Sequence, residues 1–300
     1  MLQVVAGAVS LGLLWAVMTI GVYITYRILD VADLTVEGSI VLGAAIAAKM
    51  ISSGMNPVIG VALAFVGGMA AGLVTGLLHT KLKIPALLSG ILTMIALYSV
   101  NLRVMGKANI SLLRMETVYT FFTDLGLESV YAVMVVGFIC VAALVCILYW
   151  FFGTEIGCSI RATGNNPQMV RAQGVNTDNT IIVGLIISNG LVAMSGALIA
   201  QSQGFADVQM GIGSIVIGLA SVIIGEVLFG KNQFFLRLTS LVLGAITYRI
   251  IIAFVLKLGM PANDLKLFTA ITVAIALSTP RIKASFNQYR KTKKEAKKVA

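Results

Sequence analysis

Residues with the chemistry for catalysis are few and poorly placed in this chain. Its 300 residues include one histidine, His79, three cysteines, Cys140, Cys146 and Cys158, and 12 acids. Structural zinc sites and disulfide frameworks need ligands or thiols at short, recurring spacings, and no pair here has them. The acids fall at the ends of apolar runs, so no general acid–base pair or hydrolytic triad is expected. One stretch imitates a phosphate-cradling loop: Gly225-Glu226-Val227-Leu228-Phe229-Gly230-Lys231-Asn232 matches G-x-x-x-x-G-K. It lacks the final hydroxyl that would hold magnesium, and it ends an apolar run instead of following a strand. The chain is therefore expected to be no enzyme, with no catalytic residue, no metal and no cofactor of its own.

Ionisable residues inside apolar runs are functional candidates, because a charge in lipid is costly. Arg249, in TYRIII, is the candidate pathway residue, positioned to meet an anionic group of a solute. The competing reading has it reaching the interface or pairing with a neighbouring helix. Glu226 is expected to be interfacial or to pair with Lys231 or Arg237. Lys49 is expected to snorkel.

The elements that must position these residues are membrane helices. The chain is 58% hydrophobic and 11% charged, with mean hydropathy +0.97. Apolar runs of about 20 residues recur, which excludes an ordinary soluble domain and favours helices over ten-residue barrel strands. The fold class is all-α: a polytopic membrane protein of about nine transmembrane helices (range eight to ten). The expected spans begin near Val4, Val36, Pro57, Pro85, Ser129, Thr180, Gly211, Leu238 and Leu265. Gly68, Gly72 and Gly76 share a face at four-residue spacing, which lets a neighbouring helix approach closely.

Net charge is +10, and eight of the 22 basic residues lie in 281–300. Such a basic tail reads as a lipid-facing cytoplasmic terminus, not a nucleic-acid site. Basic residues also mark the same side at Arg27, Lys81, Lys83, Arg161, Arg171, Lys231 and Arg237. The other side holds only Arg103, Lys107, Arg114, Lys257 and Lys266. The positive-inside rule then puts the N-terminus outside and the C-terminus in the cytoplasm. Residues 1–280 form a single transmembrane domain, and 281–300 form the tail. The N-terminus has no basic region before its apolar run, so it reads as a retained first span.

The longest polar stretch, 153–179, lies between two spans. Within it Asn166 is a good helix N-cap, Pro167 suits the first helical position, and Gly174 suits the left-handed residue past the end. The spacing predicts a helix over Pro167–Gln173, about 10 Å long. Such a helix must sit at the surface, where it can press on another protein.

This stretch resembles a known family. Gly157-Cys158-Ser159-Ile160-Arg161-Ala162-Thr163-Gly164-Asn165-Asn166-Pro167, followed by Arg171-Ala172-Gln173-Gly174-Val175-Asn176, is similar to the bacterial ABC-transporter permeases of the branched-chain amino acid and ribose type. Asp33-Leu34-Thr35-Val36-Glu37-Gly38-Ser39 and the Ser188–Leu198 segment resemble the same family. Cys158 departs from it, standing where a basic residue is usual; Val170 replaces a common alanine, and Gly225-Glu226 replaces paired glycines.

The resemblance implies a membrane-spanning permease subunit of an ATP-driven importer for a small polar solute, with an amino acid as the expected solute. It implies that Arg161, Asn166, Pro167, Met169, Val170, Arg171, Gln173 and Gly174 form or flank an ATPase-coupling helix. Met169, Val170 and Gln173 would share one face, and Arg161 and Arg171 would meet acidic groups of the partner. The implied partners are a cytoplasmic ATP-binding subunit that binds the ATP and magnesium, a second permease chain, either another copy in a homodimer or a homologue, an extracytoplasmic solute-binding protein, and membrane lipid. The implied location is the bacterial plasma membrane, multi-pass. The alternatives are an ion-coupled secondary transporter or channel without an ATPase, disfavoured by acids at span ends, and a membrane scaffold.

Overall fold

The computed structural model describes residues 2–230, 233–259, 267–271 and 274. The tail 281–300, Lys231 and most of the expected ninth span, Leu265–Thr279, lie outside these residues. The helices are α1 (Leu2–Tyr23, continued by a π-helical turn over Ile24–Ile28), α2 (Thr35–Ser52), α3 (Pro57–Thr80), α4 (Ala86–Met105), α5 (Thr120–Asp124) and α6 (Ser129–Gly153). Then come α7 (Glu155–Asn165), α8 (Pro167–Ala172), α9 (Thr177–Gln203), α10 (Ser214–Phe229) and α11 (Phe234–Lys257).

Among the described residues seven helices are long and apolar enough to cross a membrane: α1 to α4, α6, α9 and α11. The expected seventh span is shorter than the sequence suggests. α10 has 16 residues, about 24 Å of rise against a hydrocarbon core of about 30 Å. The all-helical expectation also missed a small sheet. Strand β1 (Asn109–Ser111) pairs antiparallel with β2 (Phe205–Asp207), Ile110 opposite Ala206. The sheet caps the end of the bundle opposite α7 and α8.

α9 is the axis of the molecule, with α1, α2 and α3 packed round it. Small residues set the distances. A Cβ at Gly68, Gly72 or Gly76 of α3 would meet Asn189, Leu185 or Ile182 of α9, so the four-residue glycine spacing is a packing face. Gly43 of α2 lies against the backbone of Ala193, and Gly196 of α9 against the backbone of Ile40. In lipid no hydrophobic drive separates helix from tail, and close van der Waals approach of this kind holds the bundle together. The outward faces of α3, α4 and α6 carry exposed apolar side chains such as Val66, Leu92, Phe138 and Trp150, as a lipid-facing surface requires.

The chain reverses after α1 in an unexpected way. The π-helical turn ends with Leu29 N–H donating to Ile24 O (3.0 Å) and Val31 N–H to Thr25 O (3.0 Å). Asp30 then adopts a left-handed conformation, φ 56°, which a short polar side chain tolerates. The chain turns back into the bundle, so Asp33 is buried at 3% exposure instead of sitting at a span end. Its Oδ1 accepts from Thr35 N–H (2.9 Å) and its Oδ2 from Asn189 Nδ2 (2.8 Å), while Asn189 Oδ1 accepts from Ser39 Oγ (2.7 Å). This relay pins α2 and the α1–α2 turn to the middle of α9.

The packing predicts that Gly43→Ala, which sets a methyl against the Ala193 backbone, destabilises by about 1–3 kcal/mol or more. Gly7→Ala, with nothing within 4 Å of the added carbon, changes stability by less than about 1 kcal/mol. Thermal unfolding of the purified variants in detergent checks the contrast.

Candidate coupling site

The polar stretch between α6 and α9 folds as two helices, where the sequence indicated one. Thr154 is in an extended conformation and its Oγ1 accepts from Gly157 N–H (3.4 Å), starting α7. α7 buries Gly157, Ile160 and Thr163, three residues apart along one face. Gly164 follows on that face and rests against the Ile28 carbonyl, where a Cβ would not fit. Thr163 Oγ1 and Thr180 Oγ1 share a hydrogen bond (2.9 Å) that ties α7 to α9. The missed signal was the spacing Gly157, Ile160, Thr163-Gly164 behind a Thr N-cap; its small inward residues gave no apolar stripe to notice.

Asn166 ends α7 and starts α8. It is extended, φ −156° and ψ 92°, and its Oδ1 accepts from Met169 N–H (3.0 Å), with Pro167 next. At the other end Gln173 caps α8, Gly174 takes φ 84°, and Val175 N–H returns to Val170 O (3.2 Å). The helix is thus Pro167–Ala172, bounded by the capping residues read from the sequence. Asn176 Oδ1 then accepts from Asp178 N–H (3.0 Å) and Asn179 N–H (3.3 Å) to open α9. Cap, helix, turn and cap follow without slack, so α8 is held rigidly at the foot of α9.

The expected shared face of Met169, Val170 and Gln173 divides. Val170 is buried at 1% exposure and anchors α8 inward. Met169 and Gln173, one turn apart, are exposed on the outer face. The division follows from the 100° step between adjacent helical residues, which cannot aim Met169 and Val170 the same way. The two arginines are also engaged within the chain. Arg171 Nε donates to Thr177 Oγ1 (2.6 Å) and its guanidinium lies 3.6 Å from Asp178, which Lys83 also approaches at 3.3 Å. These pairs are exposed and each contributes no more than about 1 kcal/mol; they position the α8–α9 turn against the α3–α4 turn. The Arg161 guanidinium lies 4.8 Å from the Phe234 ring centre, beside the start of α11.

Arg249 is elsewhere. It sits in α11, about 22 Å from Phe234 at 1.5 Å per residue, and stacks over Trp15 of α1 at 4.1 Å. Its Nε is buried without a hydrogen-bond partner among the described residues. Glu226 pairs with Arg27 at the end of α1 (3.2 Å), a partner the sequence did not suggest. Gly225 lies inside α10 and packs on the Ser240 backbone, so the G-x-x-x-x-G-K match opens within a helix. Among the described residues no three His, Cys, Asp or Glu side chains converge on a metal site.

A membrane bundle with a rigid two-helix foot, its amphipathic α7 docked and its short α8 displayed, matches one family model. The description "Branched-chain amino acid transport system / permease component" covers residues 4–277. This chain belongs to that permease family. It is 41% identical over 276 residues to the "Tyrosine transport system permease protein" of Clostridioides difficile, covering 92% of this chain and 91% of that one. It is 33% identical over 282 residues to "Uncharacterized protein RP368" of Rickettsia prowazekii, covering 93% and 98%. In fold it is similar to a chain of PsaBC from Streptococcus pneumoniae, with TM-score 0.51, 14% identity, and coverage of 91% and 89%. The permease is a multi-pass plasma-membrane protein and the non-catalytic membrane subunit of an ABC importer, with ATP hydrolysis in a separate ATP-binding subunit.

The permease's foot makes two residues separable. Val170→Ala should cost about 1.5–3 kcal/mol of stability through lost burial. Met169→Ala, at an exposed position, should stay within about 0.5 kcal/mol. Melting curves of the two variants in one detergent test this.

Proposed function

We propose that α8 is the element through which the ATP-binding subunit drives this permease. The observation that carries it is the division of α8 between a buried anchor, Val170, and an exposed pair, Met169 and Gln173. A helix that is capped at both ends, held by Asn166 and Gly174 and joined to α9 by the short 173–176 turn can pass a push on to α9. Asn166, Pro167 and Gly174 build it, Arg171 fixes its turn, and Arg161 braces the neighbouring α7 against α11. ATP and magnesium belong to the partner. A shift between outward- and inward-open states then follows from differential contacts of the partner with α8 in the two states.

The α7–α8 end is proposed to be cytoplasmic, with the N-terminus outside. Arg27, Lys81, Lys83, Arg161, Arg171 and Arg237 lie at that end, and Arg103, Lys107, Arg114 and Lys257 at the other. This is the charge asymmetry the positive-inside rule requires. The solute is proposed to be an amino acid, aromatic by analogy with the tyrosine permease it resembles. A second copy of the chain and an extracytoplasmic solute-binding protein complete the proposed assembly. Arg249, buried and without an acidic partner among the described residues, is kept as a candidate pathway residue.

Replacing 166–174 by a flexible Gly/Ser linker should abolish uptake while the protein still reaches the membrane and still melts cooperatively. Met169→Asp with Gln173→Asp should reduce co-purification of the ATP-binding subunit tenfold or more at unchanged melting temperature. Normal uptake by the linker variant would exclude α8 from coupling.

A further inference from the structure

The sequence places Glu37 near a span end, but the fold does not. Glu37 is in the first turn of α2, and α2 begins inside the bundle because the chain has already turned back through Asp33. Its neighbours on α4 are Met94, Tyr98 and Asn101, between about 12 and 22 Å along that helix from Ala86. The connection from β2 to α10 dips to the same depth, and Gly213 N–H donates to Glu37 Oε1 (2.9 Å). A carboxylate is thus held midway along a membrane helix. Among the described residues no Lys or Arg pairs with it. An intramembrane acid of this kind is a functional group by default.

Glu37 borders a cavity of about 340 Å3, together with Tyr98, Ser99, Asn101, Met94 and Ile95. Asn101 is 1% exposed; its Nδ2 donates to Gly38 O (3.2 Å), and its Oδ1 has no hydrogen-bond partner. Flipping the amide would set oxygen against the Gly38 carbonyl, so an orphan acceptor remains on this cavity-lining residue. A buried acceptor without a donor costs about 1–3 kcal/mol. The site therefore offers two acceptors for a cation, hydroxyls of Tyr98 and Ser99 as donors, and an apolar wall. Its volume is at the small end of ligand pockets and has room for one amino acid.

We propose that this cavity is a solute-binding station on the transport pathway, and that it takes a zwitterionic α-amino acid. The ammonium group is received by Glu37 and Asn101, the carboxylate by the hydroxyls of Ser99 and Tyr98, and the side chain by Met94, Ile95 and the Tyr98 ring. The proposal rests on the reading of the permease as an amino-acid importer. Glu37 also holds Gly213, and Glu37→Gln separates the two roles: an amide oxygen still accepts from Gly213 N–H, but the charge is gone.

The test uses vesicles carrying the complete transport system, with ATP inside and radiolabelled L-tyrosine and a panel of neutral amino acids outside. Glu37→Gln should lower uptake tenfold or more while ATP hydrolysis and co-purification of the ATP-binding subunit stay at wild-type levels. Asn101→Ala should lower uptake in the same direction by a smaller factor. Full uptake by Glu37→Gln overturns the proposal. Loss of uptake and ATP hydrolysis together assigns Glu37 to the frame of the protein and overturns it also. Wild-type vesicles that hydrolyse ATP but take up no amino acid overturn the amino-acid reading itself, an outcome visible before any variant is compared.

Discussion

The structure depends on the close approach of α2 and α3 to α9. In a bilayer every polar backbone group must find a partner inside the protein, so helices are obligatory and their packing must come from shape. Gly43, Gly68, Gly72, Gly76 and Gly196 remove the side chains that would hold the axes apart. The same approach brings Asn189 within reach of Asp33 and Ser39, and α2, the α1–α2 turn and α9 become locked by hydrogen bonds at 2.7–2.9 Å. Each of those groups is buried, and removing Asn189 would take away the partners of Ser39 Oγ and Asp33 Oδ2.

From that core the two ends of the molecule acquire different properties. α9 starts at the Asn176 cap, directly after α8, and ends at the β1–β2 sheet. At the far end Tyr119 Oη donates to Leu198 O (2.9 Å) and Gln201 Oε1 accepts from Val118 N–H (2.9 Å), so the long α4–α6 connection is also tied to α9. One rigid helix therefore touches the foot, the buried relay and the sheet. The Glu37 cavity lies beside the relay, on the α4 side of α2, two residues before Ser39.

Much of this was legible in the sequence because the signals were local. Asn166, Pro167 and Gly174 each act within a few residues, and they fixed α8 at both ends. The glycine spacing in α3 was readable for the same reason. Where partners are distant, the sequence was silent. Asp33 and Glu37 looked like span-end acids because hydropathy reports what is apolar, not where a chain turns back; the π-helical turn and Asp30 that carry them inward have no apolar signature. α7 was hidden because its inward residues are Gly157, Thr163 and Gly164 as well as Ile160. α10 looked like a span because composition does not measure the missing turn of length.

The central claim is that the permease meets its ATP-binding subunit through α8, and amide hydrogen exchange measures that directly. Exchange would be followed on the permease alone in detergent and on the same protein bound to the ATP-binding subunit. The account predicts that slowed exchange on binding concentrates in 165–177, at the amides of α8 and its flanking turns, with the β1–β2 end unchanged. Protection confined to other cytoplasmic turns, with 165–177 exchanging as it does in the isolated permease, would contradict it.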